Sequence, residues 1–356
     1  MSIKELLQLT IDQNASDLHL VNGIPPTLRV DGELRSVDSA GILTPDIVAA
    51  FLKEILTSEQ LERLAVNKEI DFSLAFSEKA RFRVNAYTQR GAQAAAFRRI
   101  PLEIPVIDSL GLPKILHSFT ALKQGFVLVT GPTGHGKSTT LAAMINEINT
   151  NRTAHIVTIE DPIEFMFKPV KSIISQREMR SDTHSWQVAL RSVLREDPDV
   201  VLVGEMRDYE TIAAALTVAE TGHLVFATLH TNSAAQTIDR IVDVFPEEQQ
   251  GQVRLQLSNV IEAVFSQRLI PAIPNGRAVA YEIMLGSTAI RTAIREGKTH
   301  QIDSILQTSQ EIGMNTLETS LANLVRQGRI TLETAQSWSL RPEELTRLVR
   351  SASLAK

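Results

Sequence analysis

Apolar and polar positions follow two regimes along this chain. In the first hundred residues, short segments switch between helical and strand spacing. Ile3, Leu6, Leu7 and Thr10 recur at helical intervals and predict a short opening helix. Asp17-Leu18-His19-Leu20 alternates as a half-buried strand does. Leu28-Arg29-Val30 and Glu33-Leu34 flank Asp31-Gly32, a pair that tolerates the positive φ of a type I′ hairpin turn. After Pro45, the positions Ile47, Val48, Phe51, Leu52 and Ile55 return to helical spacing, and Arg81 to Tyr87 and Ala94 to Ile100 read as two further strands around Gly91. The expectation is a small α+β domain over residues 1–100. Three prolines within Pro101–Pro113 then mark a linker, placed at 101–115.

From about Leu116 the regime changes. Buried runs at Phe126–Thr130, His155–Ile159, Val200–Val203 and Leu224–Thr228 alternate with helical segments, the pattern of a parallel sheet. Leu141, Met144, Ile145 and Ile148 predict a helix from Thr139 to Ile148, and Arg191 and Arg195 are expected one turn apart on a later helix. Beyond Pro246 the chain reads as mostly helical. There Val253, Leu257, Val260, Ile261, Val264 and Phe265 form a broad stripe, most simply a core helix.

At 356 residues the chain is long enough for two domains with their own cores. Aromatics at 5% and a net charge of −5 argue against a stacked-ring or broadly basic nucleic-acid surface. The absence of cysteine excludes disulfides and Cys-ligated zinc. Met1-Ser2-Ile3-Lys4-Glu5 carries charge where a signal peptide needs an apolar run, and no stretch approaches the ~18–20 apolar residues of a membrane span. The expectation is a cytoplasmic protein without membrane insertion, with peripheral docking left open.

The chemistry gathers where the parallel strands end, the usual place in open α/β sheets. Residues Gly131, Pro132, Thr133, Gly134, His135, Gly136, Lys137 and Ser138 spell GxxxxGK[ST] between a buried strand and a helix. In such a loop the backbone N–H groups turn toward nucleotide phosphates, the lysine adds a charge and the serine hydroxyl can ligate Mg²⁺. Thr139 completes the expected ATP-binding set. After Ile159 comes Glu160-Asp161-Pro162-Ile163-Glu164, three carboxylates in five positions. Glu205 follows Val203-Gly204 in the position of an acid that holds Mg²⁺, so Ser138 and Glu205 are the candidate metal ligands. Hydrolysis needs a carboxylate to orient water and a metal to neutralise phosphate charge, and Glu164 and Glu205 are the candidates. His230 stands where it could contact a γ-phosphate or serve a structural role. His223 could equally favour the negative end of a helix dipole. Arg81, Arg83, Arg98 and Arg99 lie on adjacent expected strands, either as a solvated face or as an arginine supplied to a neighbouring subunit. Arg191 and Arg195 could act there too or form structural ion pairs.

Several motifs occur in one order. Thr158-Ile159-Glu160-Asp161-Pro162-Ile163-Glu164 resembles the Asp box of secretion ATPases, and Leu194-Arg195-Glu196-Asp197-Pro198-Asp199 with Val203-Gly204-Glu205-Met206-Arg207-Asp208 resembles their Walker B segment. Thr221-Gly222-His223 and Thr228-Leu229-His230-Thr231 resemble the His box. Ala15-Ser16-Asp17-Leu18-His19-Leu20 and Arg29-Val30-Asp31-Gly32 resemble the N-terminal domain of the PilT family of type IV pilus retraction ATPases. Ala289-Ile290-Arg291-Thr292-Ala293-Ile294-Arg295-Glu296 is similar to that family's AIRNLIRE segment. The likeness covers roughly residues 3 to 335.

The resemblance implies an α/β fold: a PAS-like α+β domain (1–100), a linker (101–115), a RecA-like P-loop ATPase core (116–288) and a helical C-terminal region (289–356). It implies a homohexameric motor that hydrolyses ATP with Mg²⁺ to withdraw pilin subunits. The implied partners are an inner-membrane platform protein and the pilin machinery at the pilus base, with a paralogous pilus ATPase as a further one. Glu164 would be the catalytic carboxylate, Glu205 the Walker B acid and His230 the γ-phosphate sensor. Arg83 and Arg98 would act across the subunit interface, and the linker would let the domains rotate as rigid bodies. Three positions depart from the pattern: His135 in place of a small residue, Thr292 and Ala293 in place of Asn and Leu, and the local variation Arg268-Leu269-Ile270-Pro271. These leave room for an accessory, PilU-like retraction ATPase. A pilus-assembly or type II secretion ATPase fits less well, since those chains carry a longer N-terminal region and a four-cysteine zinc site. A RecA-like nucleic-acid motor and a slow nucleotide-binding regulator are the remaining alternatives.

Overall fold

The structure, a computed structural model, describes residues 1–30, 32–77, 80–100 and 103–353. Asp31 of the expected hairpin turn, Pro101 of the expected linker and residues 354–356 lie outside the described residues. The chain divides into two compact units. One comprises Met1–Glu103 with Pro162–Met166, the other Ile104–Asp161 with Phe167–Lys356.

In the first unit, α1 (Ile3–Asp12) starts at a capping box. The Ser2 Oγ accepts the Glu5 N–H, and the Ser2 N–H donates to Glu5 Oε2 at 2.7 Å. Its buried face is Ile3, Leu6, Leu7 and Thr10, as the spacing predicts. Next come β1 (Asp17–Leu20), β2 (Thr27–Val30), β3 (Glu33–Ser36), α2 (Pro45–Ile55), α3 (Ser58–Asn67), β4 (Glu69–Ser77), β5 (Ala80–Gln89) and β6 (Ala92–Ile100). The strands form one antiparallel sheet in the order β3-β2-β1-β6-β5-β4. Leu18, Leu20, Phe82, Val84 and Phe97 are buried to the last few per cent of their surface, with Phe82 and Phe97 packed edge to face at 6.5 Å. Each such side chain removed from water stabilises the unit by about 1.5–3 kcal/mol.

The second unit opens with α4 (Leu116–Ala121), β7 (Gly125–Thr130), α5 (Lys137–Asn151), β8 (His155–Glu160), β9 (Ile173–Glu178), α6 (Trp186–Val193), β10 (Val200–Val203), α7 (Tyr209–Glu220) and β11 (Leu224–Leu229). It continues with α8 (Ala234–Asp243), α9 (Glu247–Val260), β12 (Ile261–Pro271), β13 (Arg277–Leu285), α10 (Thr288–Arg295), α11 (Ile302–Thr308), α12 (Leu317–Arg326), α13 (Leu332–Trp338) and α14 (Pro342–Ser353). The sheet order is β13-β12-β7-β11-β10-β8-β9, parallel throughout except for β13. Every residue of β7, β10 and β11 is buried, which is why these strands read as unbroken apolar runs.

Two expectations are corrected here. The stripe from Val253 to Phe265 is not one helix: α9 ends at Val260 and β12 starts at Ile261. Ile261, Ala263, Val264 and Phe265 are all fully buried, so the run carries no strand period, and a bulge between Ile261 and Ala263 breaks the alternation further. Arg191 and Arg195 do not share a helix, because α6 stops at Val193 and Arg195 lies in the turn after it.

Candidate nucleotide site

β7, β11 and β10 are consecutive in the sheet, so Gly131, His230 and Glu205, which follow them, emerge side by side. Gly131 has φ +137°, and a Cβ there would stand 2.2 Å from the Gln267 carbonyl oxygen, so no other residue can pass this close to β12. Gly136 takes φ +84° as the N-cap of α5. Gly134, with φ +80°, has nothing within 4 Å of the position of a Cβ, which leaves the outer lip of the loop open for phosphate oxygens. The first turn of α5 points its N–H groups and the positive end of its dipole at that opening.

Lys137 is buried, and its Nζ donates to the Gly131 and Pro132 carbonyls at 2.8 and 2.9 Å. It also lies 3.4 Å from His230 Nδ1, with Thr133 Oγ1 at 3.3 Å from the same nitrogen. An ammonium can only donate, so Nδ1 accepts and the ring proton sits on Nε2. That Nε2 faces Glu205 Oε2 at 3.4 Å, and Glu205 Oε1 pairs with Arg207. Thr228 Oγ1 donates to the Gly204 carbonyl and the Met206 N–H to the Thr228 carbonyl, which ties the ends of β11 and β10 together beneath this contact. The structure therefore brings Thr133, Lys137, His230 and Glu205 into one cluster, with Ser138 next to Lys137 in the first turn of α5.

The three carboxylates at the end of β8 and beyond it, Glu160, Asp161 and Glu164, have separate surroundings. Glu160 is buried and accepts from Thr158 Oγ1 at 2.7 Å and from Gln176 Nε2 at 3.3 Å. Asp161 pairs with Arg180 at 3.3 Å. Glu164 lies in Pro162–Met166, a segment of the first unit, exposed between buried Ile163 and Phe165. Also in that unit, Arg83 and Arg98 are register partners on β5 and β6, and Arg98 Nε donates to Asp17 Oδ1 at 2.9 Å. His223 Nδ1 lies 3.0 Å from the Val218 carbonyl near the C-terminal end of α7.

The sequence reading missed Gln267. This buried β12 side chain accepts from Thr140 Oγ1 and donates to the His135 carbonyl, both at 2.7 Å, so it braces the loop from below. Flanked by Ser266 and Arg268 just past the apolar stripe that ends at Phe265, it gave no sequence signal of burial. His135 is braced too. Its Nδ1 accepts the Leu269 N–H at 2.9 Å, and its ring meets Trp338 edge to face at 5.5 Å. Burial, then the charges of Arg268, Lys137 and Arg277, push its pKa below the usual histidine value.

No cluster of three or more His, Asp or Glu among the described residues is placed to hold a metal by itself. The candidate donors on this side of the site are hard oxygens: Ser138 lies in the first turn of α5, and the Glu205 carboxylate faces His230 and Arg207. Mg²⁺ suits such a set, since it takes few protein ligands and fills its remaining positions with phosphate and water.

The sequence matches the family described as type II/IV secretion system protein over residues 1–337. It is 49% identical over 343 residues to the type IV pilus retraction ATPase PilT of Pseudomonas aeruginosa, covering 96% of this chain and 99% of that one. It is 38% identical over 354 residues to the type IV pilus ATPase PilU of the same organism, covering 99% and 92%. A crystal structure of the pilus retraction motor PilT with bound ADP matches with a TM-score of 0.92 at 48% identity, covering 98% of this chain and 99% of that one. The chain therefore belongs to the type II/IV secretion system protein family, among its pilus retraction ATPases.

Proposed function

We infer that this chain is an ATP-hydrolysing motor of type IV pilus retraction, working as a homohexamer at the pilus base. One observation carries the reading: near end-to-end identity of 49% to a retraction ATPase, against 38% to PilU. It acts from the cytoplasm, docked peripherally on an inner-membrane platform protein and handling pilin. No helix among the described residues is long and apolar enough to cross a membrane, which is compatible with such docking.

The loop residues Gly131 to Thr139 hold the phosphates of ATP through backbone N–H groups, and Lys137 adds its charge between the β- and γ-phosphates. Ser138 and Glu205 would hold Mg²⁺, which supplies neutralisation of phosphate charge when bound. His230, whose Nδ1 lies beside Lys137, reads the γ-phosphate, and its link to Glu205 couples that reading to the metal acid. Glu164 orients the attacking water, and Arg83 with Arg98 stabilises transition-state charge in a neighbouring subunit.

The experiment is deletion in the host with the pili counted and their retraction followed. Pili retained without retraction is the expected result. Loss of pili overturns the reading in favour of an assembly motor. Retraction that persists assigns the accessory role, which the near full-length match to PilU keeps as the second reading.

A further inference from the structure

β13 carries one carboxylate into the protein interior. Glu282 is 1% exposed; its Oε1 accepts the Ala234 N–H at 2.7 Å, and among the described residues its Oε2 has no hydrogen-bond partner. Ala234 is the first residue of α8 and lies four positions after His230. The Ala234 N–H is one of the donors that a helix start leaves without an intrahelical acceptor.

His230 itself reaches Thr133, Lys137 and Glu205, and the other side-chain ties of the residues after it are local. Thr231 Oγ1 bonds Thr237 Oγ1, the Asn232 N–H donates to Gln236 Oε1, and the Gln236 N–H donates to Ser233 Oγ. All three join the turn to α8 and travel with that helix. Glu282 instead ties the turn to the sheet. Its register partner on β12 is Ser266, whose Oγ bonds Thr130 Oγ1 at 2.6 Å, directly before Gly131. A short chain of contacts thus runs from the base of the phosphate loop through β12 and β13 to the turn that carries His230.

The acid is chemically conspicuous because its charge is not required for filling the space. Glutamine would accept the same N–H, and leucine would fill a similar volume. Burial pushes the Glu282 pKa up to about 7. The Ala234 N–H acts against that rise. Among the charges around it, Asp303 on α11 and Glu318 on α12 favour the protonated form, while Arg341, just before α14, favours the ionised one. Arg341 is itself engaged by Glu318, Asp303 and Glu344, so the surroundings are net negative.

We propose that Glu282 is a positioning residue of the ATPase site, which fixes the His230 turn through the Ala234 N–H more firmly when ionised than when protonated. The ionised form is the stronger acceptor, since charge-assisted hydrogen bonds are roughly twice as strong as neutral ones. The proposal rests on the functional reading above. ATP turnover, nucleotide binding and amide protection at Ala234 are measured from pH 5.5 to 8.5 in the wild type, E282Q and E282L. Wild-type kcat is expected to rise with pH through the neutral range. E282Q keeps activity but loses that rise. E282L lowers kcat between about 10- and 100-fold with little change in KM for ATP, as displacement of a group at the site does. Protection of the Ala234 amide, read without ATP, should increase with pH in the wild type, stay flat in E282Q and drop in E282L. E282L with wild-type kcat and protection, or E282Q with the wild-type pH profile, overturns the proposal. If E282L does not fold, the E282Q profile decides. A wild type without turnover removes the functional reading, and a pH-independent Ala234 protection in that protein separately removes this one.

Discussion

Arg83 and Arg98 stand directly opposite one another on β5 and β6, and the next position in the same row, on β1, is Asp17. Asp17 is buried and takes the Arg98 guanidinium, so Arg98 carries a structural role in addition to the one proposed for it beside Arg83. R98A is expected to lower the melting temperature by a few degrees, since it leaves a buried carboxylate short of its partner. R83A should leave melting unchanged and reduce turnover by roughly 10³-fold if Arg83 serves a neighbouring subunit. Thermal melts and steady-state hydrolysis of the two variants check this, and equal melting losses would count against the division.

Glu205 and Glu164 separate by the same logic. E205Q removes a charge that faces His230 and Arg207, and is expected to retain ATP while cutting kcat by about 10²–10³-fold. E164Q is expected to lower kcat by about 10²–10⁴-fold with unchanged Mg²⁺ dependence. Turnover measured against Mg²⁺ concentration distinguishes the two, because only E205Q should shift the requirement.

His135 is expected to make nucleotide binding depend on pH. Its lowered pKa means that the folded protein holds the neutral ring in preference to the charged one. Its contribution to stability is therefore present above the unfolded value near 6.5 and is lost as pH falls through the lower folded value. Protonation also removes the acceptor for the Leu269 N–H. Binding of a fluorescent ATP analogue should weaken below about pH 6.5, and H135A should abolish that dependence while costing about 1–3 kcal/mol through the orphaned N–H.

Arg291 and Arg295 are one turn apart on α10 with opposite fates. Arg291 donates to the Ser258, Asn259 and Gly286 carbonyls and pairs with Glu262 at 2.7 Å, closing the junction of α9 and β12. Arg295 is exposed. R291A should lose about 2–4 kcal/mol of stability, whereas R295A should melt like wild type and show any defect in retraction assays alone. A normal melt for R291A would contradict this.

Glu282 also leaves a thermodynamic mark. Its folded pKa lies near 7 against 4.5 in the unfolded chain, so its contribution is fully present below pH 4.5 and is lost as pH rises through 7. Relative to E282Q, the wild type should lose on the order of 3 kcal/mol across that window. Chemical denaturation of both proteins at pH 4.5 and 8 measures the difference.

The phosphate loop and the four central strands were legible because fully buried parallel strands are written as unbroken apolar runs that end in polar residues. α3 was not, since Leu64 alone is buried along it and only the Thr57–Gln60 capping box marks its start. β9 lies at the sheet edge with Ile173 69% exposed, so its pattern resembles a loop. β12 hid because burial on both faces erases the period of two. With β12 unread, Gln267 and the brace on His135 went unread too. Glu282 escaped for a related reason: a single acid in an unassigned strand carries no signal until its neighbour across the turn is known.

The adjacency of β7, β11 and β10 has a dimensional consequence. Neighbouring strands lie ~4.8 Å apart, so the points from which the phosphate loop, His230 and Glu205 depart span only about 10 Å. That distance is set by backbone hydrogen bonding within the sheet and not by any connecting segment. The lengths of the links between these strands are therefore free to vary, while the reach from lysine to acid stays constant through any rearrangement that leaves the sheet intact.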